Sequence, residues 1–95
     1  MNSIYDKFKL LLLSNNLLKD NDKILLGVSG GSDSIALLDL FLTLKAEIKI
    51  FIDVAHVNYN LRGTDSDLDE ELIRSICKKA QVDCFVLNVG KELLE

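Results

Sequence analysis

The sequence predicts an α/β fold: a doubly wound parallel sheet, of which these residues supply the N-terminal half. Three observations predict it. Short apolar runs alternate with stretches of helical periodicity, in the order α-β-α-β-α-β. The links between them are short, which favours parallel strands joined by right-handed crossovers, with helices on both faces of the sheet. A glycine pair, Gly30-Gly31, follows the first apolar run at once and opens the second helical stretch. That is the place where open parallel sheets bind ligands.

The elements follow in order. Ile4, Phe8, Leu11 and Leu12 recur at helical spacing and predict a first helix over 3–14, with Ser3 and Asp6 placed as a capping box. Asp20-Asn21-Asp22 is a turn. Lys23 to Val28 predicts the first strand, apolar enough to be buried on both faces. Ile35, Leu38, Leu42 and Ala46 share one face of a helix over 33–46, with Leu37, Phe41 and Leu44 beside it. Ile48 to Val57 is expected as the second strand, and Asn58 to Asp65 as a loop. Leu68, Leu72, Ile73, Ile76 and Ala80 predict a third helix over 67–80. Ser66 with Asp69 would cap it, Asp67, Glu70 and Glu71 suit the positive end of its dipole, and the acidic run from Asp65 to Glu71 reads as a helix start ahead of a metal site. Cys84 to Val89 is the third strand. Lys91 to Glu95 reads as the opening of an element that the chain does not finish.

Composition bounds the function. The chain has 95 residues, so residues 1–95 are read as one partial domain. Its 48% hydrophobic content suits a packed core rather than a disordered tail. At this length the buried fraction is modest and stability marginal. The net charge of −4 lacks the basic excess of nucleic-acid-binding modules. A nucleic-acid substrate would therefore be gripped mostly by regions outside these residues. Cys77 and Cys84 are too few for a disulfide framework or a closed zinc site, and fit a reducing cytosol. Asp6, Lys7 and Lys9 precede an apolar run of only Leu10 to Leu13, which is no signal peptide. With no bilayer-spanning stretch, the expected compartment is the cytoplasm, without a membrane partner.

Ser29-Gly30-Gly31-Ser32-Asp33-Ser34 is the segment that carries chemistry. Without a Cβ, Gly30 and Gly31 let the backbone turn sharply and approach a ligand. The free N–H groups of the following helix, with its dipole, make an anion site. Ser29, Ser32 and Ser34 add hydroxyl donors. Asp33, the one acid, would repel phosphates unless a hard cation sat between them, which makes it a candidate Mg²⁺ ligand. The bland alternative is a tight strand-to-helix turn with Ser32 or Asp33 as the N-cap. Two other phosphate loops do not fit. There is no lysine for a Walker A loop. Gly27, Gly30 and Gly31 do not match the dinucleotide fingerprint, and Asp53 lies within the second strand rather than at its end.

Val28 to Ser34 resembles the S-G-G-x-D-S loop of the PP-loop ATP pyrophosphatases. The segment His56-Val57-Asn58-Tyr59-Asn60-Leu61-Arg62-Gly63, followed by Ser66-Asp67 and Asp69-Glu70, resembles the second signature of one branch, the tRNA(Ile)-lysidine synthetases. The resemblance runs from the first strand to the third. Tyr59 departs from it, standing where that branch has a second histidine. The resemblance implies a PP-loop domain, of the adenine nucleotide alpha hydrolase-like class. It implies ATP and Mg²⁺, with Ser29 to Ser34 on the ATP phosphates and Asp33 as the catalytic and metal-holding acid. It also implies tRNA(Ile) and lysine as substrates. The C2 oxygen of the wobble cytidine would be adenylated, and the lysine amine would then displace AMP to leave lysidine.

Four further positions carry two readings each. His56, the only histidine, is either a structural core residue or a contact to the nucleotide beside the loop. Asn58 either touches the nucleotide or shapes the turn. Arg62 is either a partner for Asp65 or Asp67, or a cation that meets ATP phosphate or the tRNA backbone. Asp53 is either a second metal ligand or a group facing solvent or a helix edge. Two other functions stay open: a PP-loop enzyme acting on a different tRNA base or a small molecule, and a non-catalytic nucleotide-binding module. The absence of a C-x-x-C pair counts against the thiolation branch that depends on one.

Overall fold

The computed structural model describes residues 3–60 and 65–89. The elements are α1 (Ile4–Ser14), β1 (Lys23–Gly27), α2 (Ser32–Lys45), β2 (Phe51–Asn58), α3 (Asp65–Ala80) and β3 (Asp83–Asn88). The strands form one parallel sheet in the order β1-β2-β3. Gly27 stands beside Ala55, and Ala55 beside Phe85, so the carboxyl ends of β1 and β2 lie next to one another. The α/β reading of the sequence holds, with α2 and α3 as the two crossovers.

Strict alternation in β2 decides where the core sits. Ile52, Val54, His56 and Asn58 are buried, while Phe51, Asp53 and Val57 are exposed. The buried side is roofed by α2 and α3, which bring Leu38, Leu44, Ile73 and Cys77 against Ile52 and Val54. Buried aliphatic side chains of this size each contribute about 1.5–3 kcal/mol. Helix α1 packs on α2 instead of the sheet. Phe8 meets Phe41 edge to face, with ring centroids 4.9 Å apart. The Tyr5 hydroxyl and the Lys9 amine, 2.7 Å away, converge on the Glu47 carboxylate and fasten α1 to the end of α2. Ser3 and Asp6 form the expected capping box.

Several expectations need correction. Helices were expected on both faces of the sheet, and among the described residues they cover one. Leu25, Phe51, Val57, Phe85 and Leu87 stand bare on the other. β1 was expected to be buried on both faces, yet among the described residues it is an edge strand and Leu25 is 69% exposed. Among the described residues the sheet carries one helical layer, where a doubly wound arrangement has two. In α1 the packed stripe is Tyr5, Phe8 and Leu12, while Ile4 and Leu11 face solvent. β2 begins at Phe51 rather than Ile48, and α3 begins at Asp65. Ser66 therefore lies inside α3 and does not cap it. Lys91 to Glu95 lies outside the described residues. No described helix is long and apolar enough to cross a membrane.

Candidate nucleotide site

The loop after β1 is held by its own serines. Val28 extends the sheet by one bond, its N–H reaching the Ala55 carbonyl at 2.8 Å. The chain then turns through Gly30, whose φ of 95° is open to glycine and strained for other residues. The Ser34 hydroxyl oxygen accepts from the N–H of Ser29 (3.1 Å) and of Gly30 (3.2 Å). It also donates to the Gly31 carbonyl at 3.1 Å. The Ser29 hydroxyl lies 3.0 Å from that of Ser34 and accepts the Gly31 N–H at 3.3 Å. The first three amides of the loop are thus turned onto serine oxygens.

The next three amides are different. Ser32, Asp33 and Ser34 form the first turn of α2, and among the described residues their N–H groups have no hydrogen-bond acceptor. Ile35 is the first to bond back, to the Gly31 carbonyl at 3.0 Å. The N-cap is Gly31, with no side-chain cap. The alternative in which Ser32 or Asp33 caps the helix is therefore not realised. An uncapped first turn, with the positive end of the helix dipole behind it, offers donors that an anion could take. Asp33 sits exposed in that turn, free of hydrogen bonds and ion pairs among the described residues, so it could hold a cation over a bound anion.

A cleft of about 420 Å³ opens beside the loop, between the end of β2 and the start of α3. Val28, Ser29, His56, Val57, Tyr59 and Asp69 are among its walls. Its size is that of a small-molecule site. His56 is 4% exposed, with Nδ1 2.7 Å from the Val28 carbonyl. A carbonyl can only accept, so Nδ1 carries the hydrogen. The imidazole thereby ties β2 to the root of the loop, and among the described residues its buried Nε2 has no partner.

Asn58 is committed to the protein. Its amide donates to Glu70 (2.9 Å) and Asp67 (3.2 Å), and its Oδ1 accepts the Asn60 N–H at 2.8 Å, an Asx-turn. The turn reading of Asn58 is the one its bonds favour. The Asn58 amide, and then Arg74, hold the Glu70 carboxyl below its usual value. Asp53 lies on the bare face of the sheet, away from His56, and does not join the site. Arg62 lies outside the described residues. Both cysteines are free, and burial, then the neighbouring Cys84, push the Cys77 thiol up to about 12. Among the described residues no group of three His, Cys, Asp or Glu side chains is arranged to hold a metal ion by itself.

The sequence reading missed Asp69 as a site residue. It enters there as a capping partner and within the second signature, without a role in the site, yet its side chain lies against Gly30. A Cβ built on Gly30 would stand 2.7 Å from the Asp69 Cβ and Cγ. Only the pairing of strand ends, which swings the start of α3 over the loop, brings the two together.

Comparison with known proteins agrees with this geometry. Residues 2–94 match the PP-loop domain family. A tRNA(Ile)-lysidine synthase of Clostridium tetani is 42% identical over 78 residues, covering 80% of this chain and 17% of its own length. One from Chlorobaculum tepidum is 40% identical over 86 residues, covering 90% of this chain and 26% of its own length. The chain thus spans about a fifth of the length of such relatives. Among solved structures, a U34-tRNA thiolase from Methanococcus maripaludis superposes with a TM-score of 0.70 at 21% identity. That match covers 88% of this chain and 28% of the thiolase, a likeness of fold. The loop, the cleft and the matched span lead to one conclusion: the chain belongs to the PP-loop domain family.

Proposed function

We propose that the chain is the ATP-binding part of an enzyme that adenylates the wobble cytidine of tRNA(Ile) and joins lysine to it, forming lysidine in the cytoplasm. The observation that carries the nucleotide reading is the uncapped first turn of α2 beside a cleft of nucleoside size. The branch is supported by the names of the relatives. The N–H groups of Ser32 to Ser34, with the serine hydroxyls, suit the pyrophosphate end of ATP. Asp33 would hold Mg²⁺ there, and the ion would supply charge neutralisation. The nucleoside would lie in the cleft beside His56. Because the loop has no lysine near the β and γ phosphates, it fits a pyrophosphate leaving group better than transfer of the γ phosphate.

In this reading the cytidine C2 oxygen attacks the α-phosphorus, and the bond to the bridging β oxygen breaks. Pyrophosphate leaves into the donors at the start of α2. The lysine amine then attacks C2, the C2–O bond breaks, and AMP carries away the oxygen. Neutral cytidine offers no such leaving group, so activation comes first.

The test uses the full-length protein with tRNA(Ile), lysine, Mg²⁺ and α-labelled ATP. Label is expected in AMP, with labelled lysine entering the tRNA. ADP as the main product would overturn the assignment of the loop. AMP formed without lysine transfer would leave a PP-loop enzyme acting on another tRNA base or a small molecule. ATP binding without any turnover would leave a non-catalytic module.

A further inference from the structure

The site sorts its hydrogen-bonding groups by kind. Donors stand on the α2 side, where the N–H groups of Ser32, Asp33 and Ser34 are unpartnered among the described residues. In the cleft, two acceptors stand beside the hydroxyls of Ser29 and Tyr59. With Nδ1–H committed to Val28, Nε2 of His56 is buried and without a hydrogen-bond partner among the described residues. Asp69 is half-buried on the cleft wall, and its carboxylate has neither a hydrogen bond nor an ion pair among the described residues. Its Oδ2 lies 3.0 Å from the point a Gly30 Cβ would occupy, so it abuts the loop itself.

Phosphate oxygens are acceptors, so the phosphates belong on the α2 side, where the open N–H groups stand and Asp33 would meet them through Mg²⁺. What the Asp69 side takes is a hydrogen-bond donor, and an ionised carboxylate has four lone-pair positions to offer. In a nucleotide the donors next to the phosphates are the sugar hydroxyls, and the amino group of the base lies beyond them. We infer that Asp69 is the residue that grips the sugar of the nucleotide, its carboxylate accepting hydrogen bonds from the vicinal ribose hydroxyls. His56 Nε2 accepts a further donor of the same nucleoside deeper in the cleft. Gly30 is bare of a side chain because Asp69 fills that space. The inference rests on the nucleotide reading given above and adds to it the residue that reads ribose.

The experiment compares binding of ATP, 2′,3′-dideoxy-ATP and inorganic pyrophosphate, each with Mg²⁺, to the full-length protein and to Asp69→Ala. The unaltered protein should prefer ATP over the dideoxy analogue by about tenfold or more. Asp69→Ala should lose about tenfold in ATP affinity and leave the dideoxy analogue and pyrophosphate unchanged, so that the preference collapses. Asp69→Leu, which keeps the size and removes the acceptors, carries the same test if the alanine variant fails to fold. Equal losses for ATP and its dideoxy analogue would overturn the inference. So would a loss of pyrophosphate binding with an altered Mg²⁺ requirement, which would make Asp69 a cation ligand. Failure of the unaltered protein to bind ATP or pyrophosphate at all would instead remove the nucleotide reading, and this inference with it.

Discussion

Gly30 and Gly31 are adjacent, yet their surroundings ask different things of them. A side chain at Gly30 meets both a φ of 95° and the Asp69 side chain at 2.7 Å. Gly30→Val should therefore lower the unfolding free energy by about 2 kcal/mol or more, read by denaturant titration. At Gly31 an added Cβ makes only an ordinary 3.6 Å contact with the Ser29 hydroxyl. Gly31→Val should fold, and weaken ATP binding by about tenfold or more, roughly 1.4 kcal/mol, because Gly31 is the N-cap below the open amides. An unchanged ATP affinity in the folded Gly31 variant would contradict the loop assignment. The cysteines carry the opposite expectation. The Cys77 thiol is buried and pushed toward its neutral form, so it is a poor nucleophile. The Cys77→Ser/Cys84→Ser double variant should melt at a lower temperature and keep its turnover rate. A rate loss of about a hundredfold without unfolding would reject this.

Among the elements, α3 shows best how the sequence was readable in part. Its periodicity and acidic start disclosed a helix; Ile73 and Ile76 pack as expected, while Leu68 and Leu72 of the same expected face are exposed. Asp69 belongs to the same acidic run, and nothing local shows that its side chain meets the loop. Its meeting with Gly30 depends on how strand ends align, which periodicity does not encode. The loop was legible because glycines between a strand and a helix are a local signal. The inward turn of the Ser29 and Ser34 hydroxyls was not, since hydroxyl partners follow from backbone direction. β1 misled for a related reason: an apolar run reports what a strand would bury, and not whether the burying layer is present.

The start of α3 also carries a pH dependence. The Asn58 amide and Arg74 favour ionised Glu70, so its folded-state pKa lies below the ordinary 4.5. That contribution is full above about pH 4.5 and is lost as pH falls through the folded value. Acid titration of stability should be shallower for Glu70→Gln than for the unaltered protein in that window. Identical slopes would show that the Asn58–Glu70–Arg74 chain adds nothing.

At the scale of the molecule, the one-sided sheet governs behaviour. Leu25, Phe51, Val57, Phe85 and Leu87 make an apolar face without a cover among the described residues, and β1 adds an open edge. Apolar faces and unpaired strand edges drive association. Residues 1–95 alone should sediment as more than a monomer, with a melting transition that shifts with concentration. A monomer with a concentration-independent cooperative transition would contradict this. Replacing Leu25 and Phe85 by threonine should move the sedimentation toward monomer.

The strand order has a consequence in time. Because β1, β2 and β3 are neighbours in both sequence and space, each pairing closes across a single strand-helix unit. Such pairings need no distant segment, so the sheet can grow strand by strand as a ribosome releases the chain. His56 and Val28 would meet as soon as β2 docks, and the loop would take its shape before α3 has emerged. A nascent chain arrested just past β2 should already protect the amides of Ser29 and Gly30 from exchange, while its bare sheet face recruits a chaperone.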